Sequence, residues 1–233
     1  MPDRTAPVDQ RRLRRTYTVA LLLGALATPP GAPAARDTPF VELSAADVFA
    51  GASASVVFIV TESLTGEYVG QGSGVVIRPG VVVTNCHVLR GAKDVGALHR
   101  DTFYPAPRVI DSNIGRDLCL LAVPALPAAQ IRTGSSTALR VGQKVFAIGA
   151  PYGLDLGVEL TLSEGLVSAL RRHARDAYPM IQTSAPMSPG SSGGALLAGD
   201  GSLIGITSFQ HGAGQNLNFA VPVEWVLEFP VLQ

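Results

Sequence analysis

The sequence predicts an all-β fold of two antiparallel units, arranged as barrels or as a sandwich. Three observations carry this. Gly and Pro number 25 and 17 among 233 residues, which suits many short strands joined by turns. Apolar runs rich in Val and Ile recur between those turns, as in Val56-Val57-Phe58-Ile59-Val60 and Val145-Phe146-Ala147-Ile148. No heptad, internal repeat or strand–helix alternation runs through the chain, which argues against a parallel sheet. Apolar residues make up 47% and charged residues 15%, a globular composition rather than a disordered one.

In chain order, residues 1–34 read as an export signal. Arg11-Arg12-Leu13-Arg14-Arg15 is a positive segment, and the apolar residues 18–27 after it are too short to cross a hydrocarbon core of roughly 30 Å as a helix. Ala25-Leu26-Ala27 and Ala32-Pro33-Ala34 offer small residues for cleavage, with an uncleaved anchor as the alternative. Residues 35–51 form a linker and a short helix. Residues 52–125 hold the first β unit. It includes the hairpin signal Val75-Val76-Ile77, a Pro79-Gly80 turn and Val81-Val82-Val83-Thr84. Residues 102–110 are a strand broken by Pro105 and Pro107, tolerable at an edge. Residues 124–136 connect the halves. The second unit covers about residues 140–233, with a Gly199-Asp200-Gly201 hairpin turn and a short closing helix within residues 223–229.

Charge excludes one class of partner. Residues 1–34 hold five Arg and two Asp, which leaves 13 basic and 16 acidic residues on the remainder. No basic face for nucleic acid is expected. Export places the chain in a periplasmic or extracellular setting, where Cys86 and Cys119 can oxidise.

Ser188-Pro189-Gly190-Ser191-Ser192-Gly193-Gly194-Ala195-Leu196 is the stretch with chemistry in it. A tight glycine-rich loop leaves backbone N–H groups free to face a developing oxyanion. This reads Ser192 as a nucleophile and the N–H groups of Gly190 and Ser192 as donors; a glycine-serine turn without chemistry is the alternative. A serine hydroxyl needs a base to take its proton, and imidazole titrates in the right range. Of the four histidines, His99 and His173 each adjoin an Arg in polar stretches, and His211 lies in a glycine-rich loop. Only His87 follows an apolar strand directly. Asp117, opening the apolar run Asp117-Leu118-Cys119-Leu120-Leu121, is the candidate to orient it. Gly190-Ser191-Ser192-Gly193-Gly194 also fits the nucleophile elbow of α/β-hydrolases. That fold requires the order Ser, acid, His, whereas here the order is His, Asp, Ser.

Taken together with Gly72-Ser73-Gly74-Val75-Val76-Ile77 and Val83-Thr84-Asn85-Cys86-His87-Val88, these motifs resemble the trypsin-like serine peptidases. The HtrA (Deg) branch is the most similar, and Asn218-Phe219-Ala220-Val221-Pro222 is also similar to that branch. The resemblance covers about residues 52–227. It implies two antiparallel six-stranded β-barrels with the active site in the cleft between them. It also implies His87 as general base, Asp117 as its orienter, Ser192 as nucleophile, and an oxyanion hole of Gly190 and Ser192, with Ser191. Residues 205–209 resemble the strand that pairs with a bound peptide, and Ser208 is expected to reach Asp117. Pro186 and Met187 fall where the family shapes its S1 pocket, with Thr207, Ser208, Phe209 and Asn218 also expected around the substrate. None is acidic, so an uncharged, small to medium P1 residue is expected.

Several departures and gaps qualify the resemblance. Ser191 stands where digestive enzymes carry an Asp that receives a newly cut N-terminus, so activation by that salt bridge is not expected. The sequence ends soon after the last strand, and no PDZ domain is expected. The motif implies a Cys86–Cys119 disulfide, two buried thiols being the alternative. No CxxC or HExxH pair is present, so neither a metal nor another cofactor is expected. The expectation is an exported serine endopeptidase acting on peptides or unfolded proteins, without a stable membrane span after signal cleavage. A catalytically idle peptide-binding module and an esterase-like enzyme are the rivals.

Overall fold

In a computed structural model, the described residues are 42–62, 68–106, 108–153, 158–172, 178–210 and 217–233, with only the backbone described at 68, 69, 209 and 210. The expected export signal, His173 and His211 lie outside them.

The first element is α1, Ala45–Ala52. Ser44 fixes its start: its Oγ accepts from the Asp47 N–H at 3.1 Å and donates to the Asp47 carboxylate at 2.6 Å. The strands of the first unit are β1 (Val56–Glu62), β2 (Tyr68–Arg78), β3 (Val81–Thr84), β4 (Asp94–His99), β5 (Thr102–Pro105), β6 (Arg108–Asn113) and β7 (Leu118–Ala122). They form one antiparallel sheet in the order β5-β4-β1-β2-β3-β7-β6. Where six strands closing a barrel were expected, the ladder pairings among the described residues give seven strands and an open sheet. The expected strand falls into two described pieces, β5 ending at Pro105 and β6 starting at Arg108, and they stand at the two edges of the sheet.

The second unit is a closed barrel. It comprises β8 (Lys144–Gly149), β9 (Thr161–Arg171), β10 (Met180–Thr183), β11 (Ala195–Ala198), β12 (Leu203–Gln210) and β13 (Asn218–Pro222), in the order β10-β13-β12-β11-β8-β9. The closing helix is α2, Val223–Leu227. The architecture is the double-barrel type expected from the motifs, with one half open.

Each unit has its own apolar core. Val57, Ile59, Val76, Val82 and Leu121 fill the first; Val145, Val167, Ile181, Leu196 and Ile204 fill the second. A third cluster joins them, placing Val75, Val83 and Leu118 of the first unit with Phe146, Ile148 and Leu197 of the second. Full burial of each such side chain contributes roughly 1.5–3 kcal/mol before entropy is counted. The seam between the units is therefore apolar in its interior, and polar groups there stand out.

Candidate active site

The pairing of β3 with β7 creates the first half of the site. Thr84 lies opposite Cys119, so the residues just after β3 neighbour those just before β7. Cys86 and Cys119 are joined there in a disulfide, with 5.0 Å between their Cα atoms. After Thr84 the chain turns through a short 3₁₀ segment, Cys86–Leu89, which carries His87. Before β7 a second one, Ile114–Arg116, ends on Asp117, whose φ of 57° is left-handed, a conformation Asp tolerates better than most residues.

His87 and Asp117 are locked together. The ring Nδ1 lies 2.6 Å from Asp117 Oδ2, and the His87 backbone N–H donates to Oδ1 at 2.9 Å. The Ser208 hydroxyl donates to the same Oδ2 at 3.2 Å. The Asp117 carbonyl accepts from the Asn85 side-chain amide at 2.8 Å and from the Cys86 N–H at 3.3 Å. Burial pushes the Asp117 pKa up, but the His87 ring and N–H bonds, the charge interaction with His87 and the Ser208 hydroxyl outweigh it. The carboxyl is held below its ordinary value. An ionised Asp117 on Nδ1 leaves Nε2 as the ring nitrogen able to accept a proton.

The second half is the loop before β11. Ser188-Pro189-Gly190-Ser191 is a β-turn closed by the Ser191 N–H on the Ser188 carbonyl at 2.9 Å. Pro at the second position and a left-handed Gly at the third, φ 98°, define a type II turn. A Cβ on Gly190 would sit 2.5 Å from the Ala150 carbonyl oxygen. The Tyr152 N–H donates to the Pro189 carbonyl at 2.8 Å. In a trans peptide the next N–H points the opposite way, so the Gly190 N–H faces away from Tyr152. Neither the Gly190 nor the Ser192 N–H has an acceptor among the described residues. That pair can receive an oxyanion. The Ser191 N–H, by contrast, closes the turn on the Ser188 carbonyl. The Ser191 Oγ instead accepts from the Ser188 N–H at 3.2 Å.

His87, Met187, Ser188, Pro189, Ser191, Ser192 and Ser208 line one cavity of about 290 Å³. The Ser192 hydroxyl donates to the Ser208 carbonyl, and no hydrogen bond joins it to the His87 ring. The other expected site residues are distributed differently. Thr207 is turned to the loop: its carbonyl accepts from Gly193 at 2.7 Å, its N–H donates to Gly194 at 2.9 Å, and its hydroxyl bonds the Ser191 carbonyl. Its backbone is thereby taken from a peptide strand. Asn218 is buried behind the loop, with its amide on the Ala185 carbonyl at 2.8 Å. Pro186 lies outside this cavity, its carbonyl accepting from the Ser163 hydroxyl at 2.7 Å. The backbone of Phe209 belongs to β12; its side chain lies outside the described residues. Sequence reasoning missed Ser73, Asn85 and Tyr152, which bind the site's backbone. The one available signal was a serine between two glycines in an otherwise valine-rich strand.

A fold of two β units with a His–Asp pair facing a serine loop across their seam is that of the trypsin-like peptidases. Residues 72–206 match the family model of the trypsin-like peptidase domain, and the chain belongs to that family. Its similarities lie in the HtrA (Deg) branch. It is 40% identical over 170 residues to the chloroplastic Protease Do-like 1 of Arabidopsis thaliana, covering 67% of this chain and 38% of that protein. It is 36% identical over 163 residues to a probable periplasmic serine endoprotease, DegP-like, of Halomonas elongata, covering 67% and 34%. Among solved structures, the HtrA-type protease AlgW with tripeptide matches with a TM-score of 0.69 at 31% identity, over 80% of this chain and 62% of that one. The serine endoprotease from Yersinia pestis matches with a TM-score of 0.69 at 28% identity, over 81% and 66%. The chain spans between about a third and two fifths of the length of those two curated relatives.

Proposed function

We propose that this chain is a serine endopeptidase acting on peptides or unfolded proteins. In this reading Ser192 Oγ attacks the substrate carbonyl carbon while its proton passes to His87 Nε2. Asp117 holds the ring and stabilises the imidazolium. The N–H groups of Gly190 and Ser192 receive the oxyanion. The imidazolium then gives its proton to the leaving amine, and water repeats the sequence to release the acyl group. No cofactor enters. The observation that carries the proposal is the shared cavity, where the free edge of a carboxylate-bound imidazole and a serine at the head of an unpaired N–H cradle meet.

Attack requires the Ser192 hydroxyl to leave the Ser208 carbonyl for the imidazole. The hydroxyl's present bond is also what favours the second reading, a catalytically idle peptide-binding module. A fluorophosphonate probe separates the two. Labelling of the folded chain, lost in Ser192→Ala and in His87→Ala, supports the peptidase; an unlabelled folded chain that still binds peptide supports the module. With Met187 and serines lining the cavity and no acidic residue there, the preferred P1 residue is uncharged and small to medium. A peptide-library profile favouring Arg or Lys at P1 would sink that specificity. Export rests on residues 1–34, supported by the periplasmic designation of a relative. Among the described residues no helix is long and apolar enough to cross a membrane.

A further inference from the structure

We infer that Ser73 is a positioning residue that sets the shape of the oxyanion loop from the opposite unit. The inference rests on the reading of Ser192 as nucleophile and Gly190 as oxyanion donor. Ser73 lies in β2 and is fully buried. Its backbone N–H donates to the Ser192 carbonyl at 2.7 Å. Its hydroxyl donates to the Gly190 carbonyl at 2.8 Å and accepts from the Ala150 N–H at 2.9 Å. Its carbonyl accepts from the Thr84 hydroxyl at 2.7 Å. One residue of the first unit therefore grips the second at Gly190, Ser192 and Ala150.

The chemistry of the position argues that the hydroxyl is there for the loop. β2 is otherwise apolar where it faces the interior, with Val75 and Val76 fully buried. A buried hydroxyl without partners costs about 1–3 kcal/mol, so Ala would serve packing alone. Two peptide planes decide where the Gly190 N–H points. The Tyr152 N–H holds the plane before Gly190 through the Pro189 carbonyl, and the Ser73 hydroxyl holds the plane after it through the Gly190 carbonyl. Gly190 is the freest joint of the Ser188–Ser191 turn because it lacks a Cβ. Without that hydroxyl the second plane keeps only the Ser191 N–H bond to the Ser188 carbonyl, and drift at Gly190 carries its N–H out of line with the Ser192 N–H. Donors fixed before the reaction are what an oxyanion hole consists of, so the clamp acts on the transition state and little on substrate binding.

The test uses the full chain, a fluorogenic peptide chosen from the library profile, and a peptide aldehyde of the same sequence. The aldehyde's adduct carries an oxyanion and needs the hole; the corresponding peptide acid does not. Losing an oxyanion donor outright costs about 10²–10³ in kcat, and Ser73→Ala, which loosens one, is expected to cost about 10- to 100-fold. KM stays within twofold, the aldehyde loses affinity by a similar factor, the peptide acid does not, and the midpoint of the pH–rate profile stays in place. A kcat within fivefold of the parent, or a loss that the aldehyde does not share, overturns the inference. If Ser73→Ala is not recovered folded, the same comparison is made on Ser73→Cys, whose thiol fills the space but donates weakly. Ser192→Ala runs beside them. If it keeps full activity, the nucleophile assignment itself has failed; if it is inactive while Ser73→Ala is normal, only the role of Ser73 has.

Discussion

His87 and Asp117 hang from the ends of β3 and β7, two strands that pair directly and are bridged by Cys86–Cys119. Ser192 stands in a loop whose restraints come largely from elsewhere: Ser73 across the seam, Tyr152 on the preceding segment, and Thr207 on β12. His87, the proposed base, is thus held from within its own sheet, while Ser192, the proposed nucleophile, is held from outside its own strand. The difference follows from what each must do. An imidazole needs one fixed orientation, which neighbouring strand ends supply. An oxyanion cradle needs left-handed glycines, and a loop of glycines keeps its shape only when something else grips it.

Removing the proposed reacting groups is the largest perturbation of either half. Ser192→Ala and His87→Ala are each expected to lower kcat by about 10⁶, as in triads that act as a unit. Asp117→Asn, which leaves the ring in place with the wrong tautomer, is expected to cost about 10⁴. Steady-state rates on the library-derived peptide measure all three. A retained rate in His87→Ala would remove the first unit from the chemistry.

Crowding the seam comes next. Gly193 has φ 85°, and a Cβ there would lie 2.1 Å from the Ser73 carbonyl oxygen and 2.4 Å from the Thr84 hydroxyl. Both neighbours belong to the first unit and neither is the free end of a long side chain. Gly193→Ala must therefore push the loop off the first sheet, with a loss of about 10²–10³ in kcat as the donors misalign. His87 and Asp117 should keep their hydrogen bond, visible as an unchanged downfield imidazole proton resonance. Loss of that resonance would show that the two halves are less independent than their bonds suggest.

Cutting the staple of the first unit tests the other side. The disulfide closes a loop of 33 residues, for which chain entropy gives about 3–4 kcal/mol of stability. The double variant Cys86→Ser, Cys119→Ser is expected to lose about that much in urea unfolding. Its kcat should fall less than tenfold, because backbone and side-chain hydrogen bonds still hold His87 to Asp117. A kcat loss as large as that of Asp117→Asn would make the disulfide the true positioning device.

Most of the candidate site was legible because its residues sit in contiguous motifs that end strands. His87 follows a run of valines, Asp117 precedes a run of leucines, and Ser192 lies in a loop that glycine spacing marks. What was not legible depends on pairings across the seam. Nothing local distinguishes Ser73 from any strand serine, or shows that the Ser191 N–H is taken by the turn that Pro189 starts. Likewise, that β5 joins β4 while β6 joins β7 is settled by distant partners.

The smallest expected effect separates the units by pH. Both described histidines belong to the first unit. His99, at the end of β4, is only 7% exposed and its Nε2 has no hydrogen-bond partner among the described residues. Burial and the neighbouring Arg100 hold its pKa below the ordinary 6.5, against a hydrogen bond with the Ala54 backbone that works the other way. The unfolded chain then binds a proton that the folded chain resists, so stability is full above about pH 6.5 and declines as the pH falls from there toward the folded value. In the second unit, Asp200 is also held below its ordinary 3.8: burial raises it, and bonds from Ser202 and Arg132 outweigh that. Its contribution is full above about pH 4 and is lost only in stronger acid. Between pH 7.5 and 5.5 the urea midpoint should therefore fall further in the parent than in His99→Gln, which cannot take up the proton, while Asp200→Asn should track the parent's slope. Equal slopes in the parent and His99→Gln would mean that the ring is hydrated in solution and that the end of β4 is more open than its burial indicates.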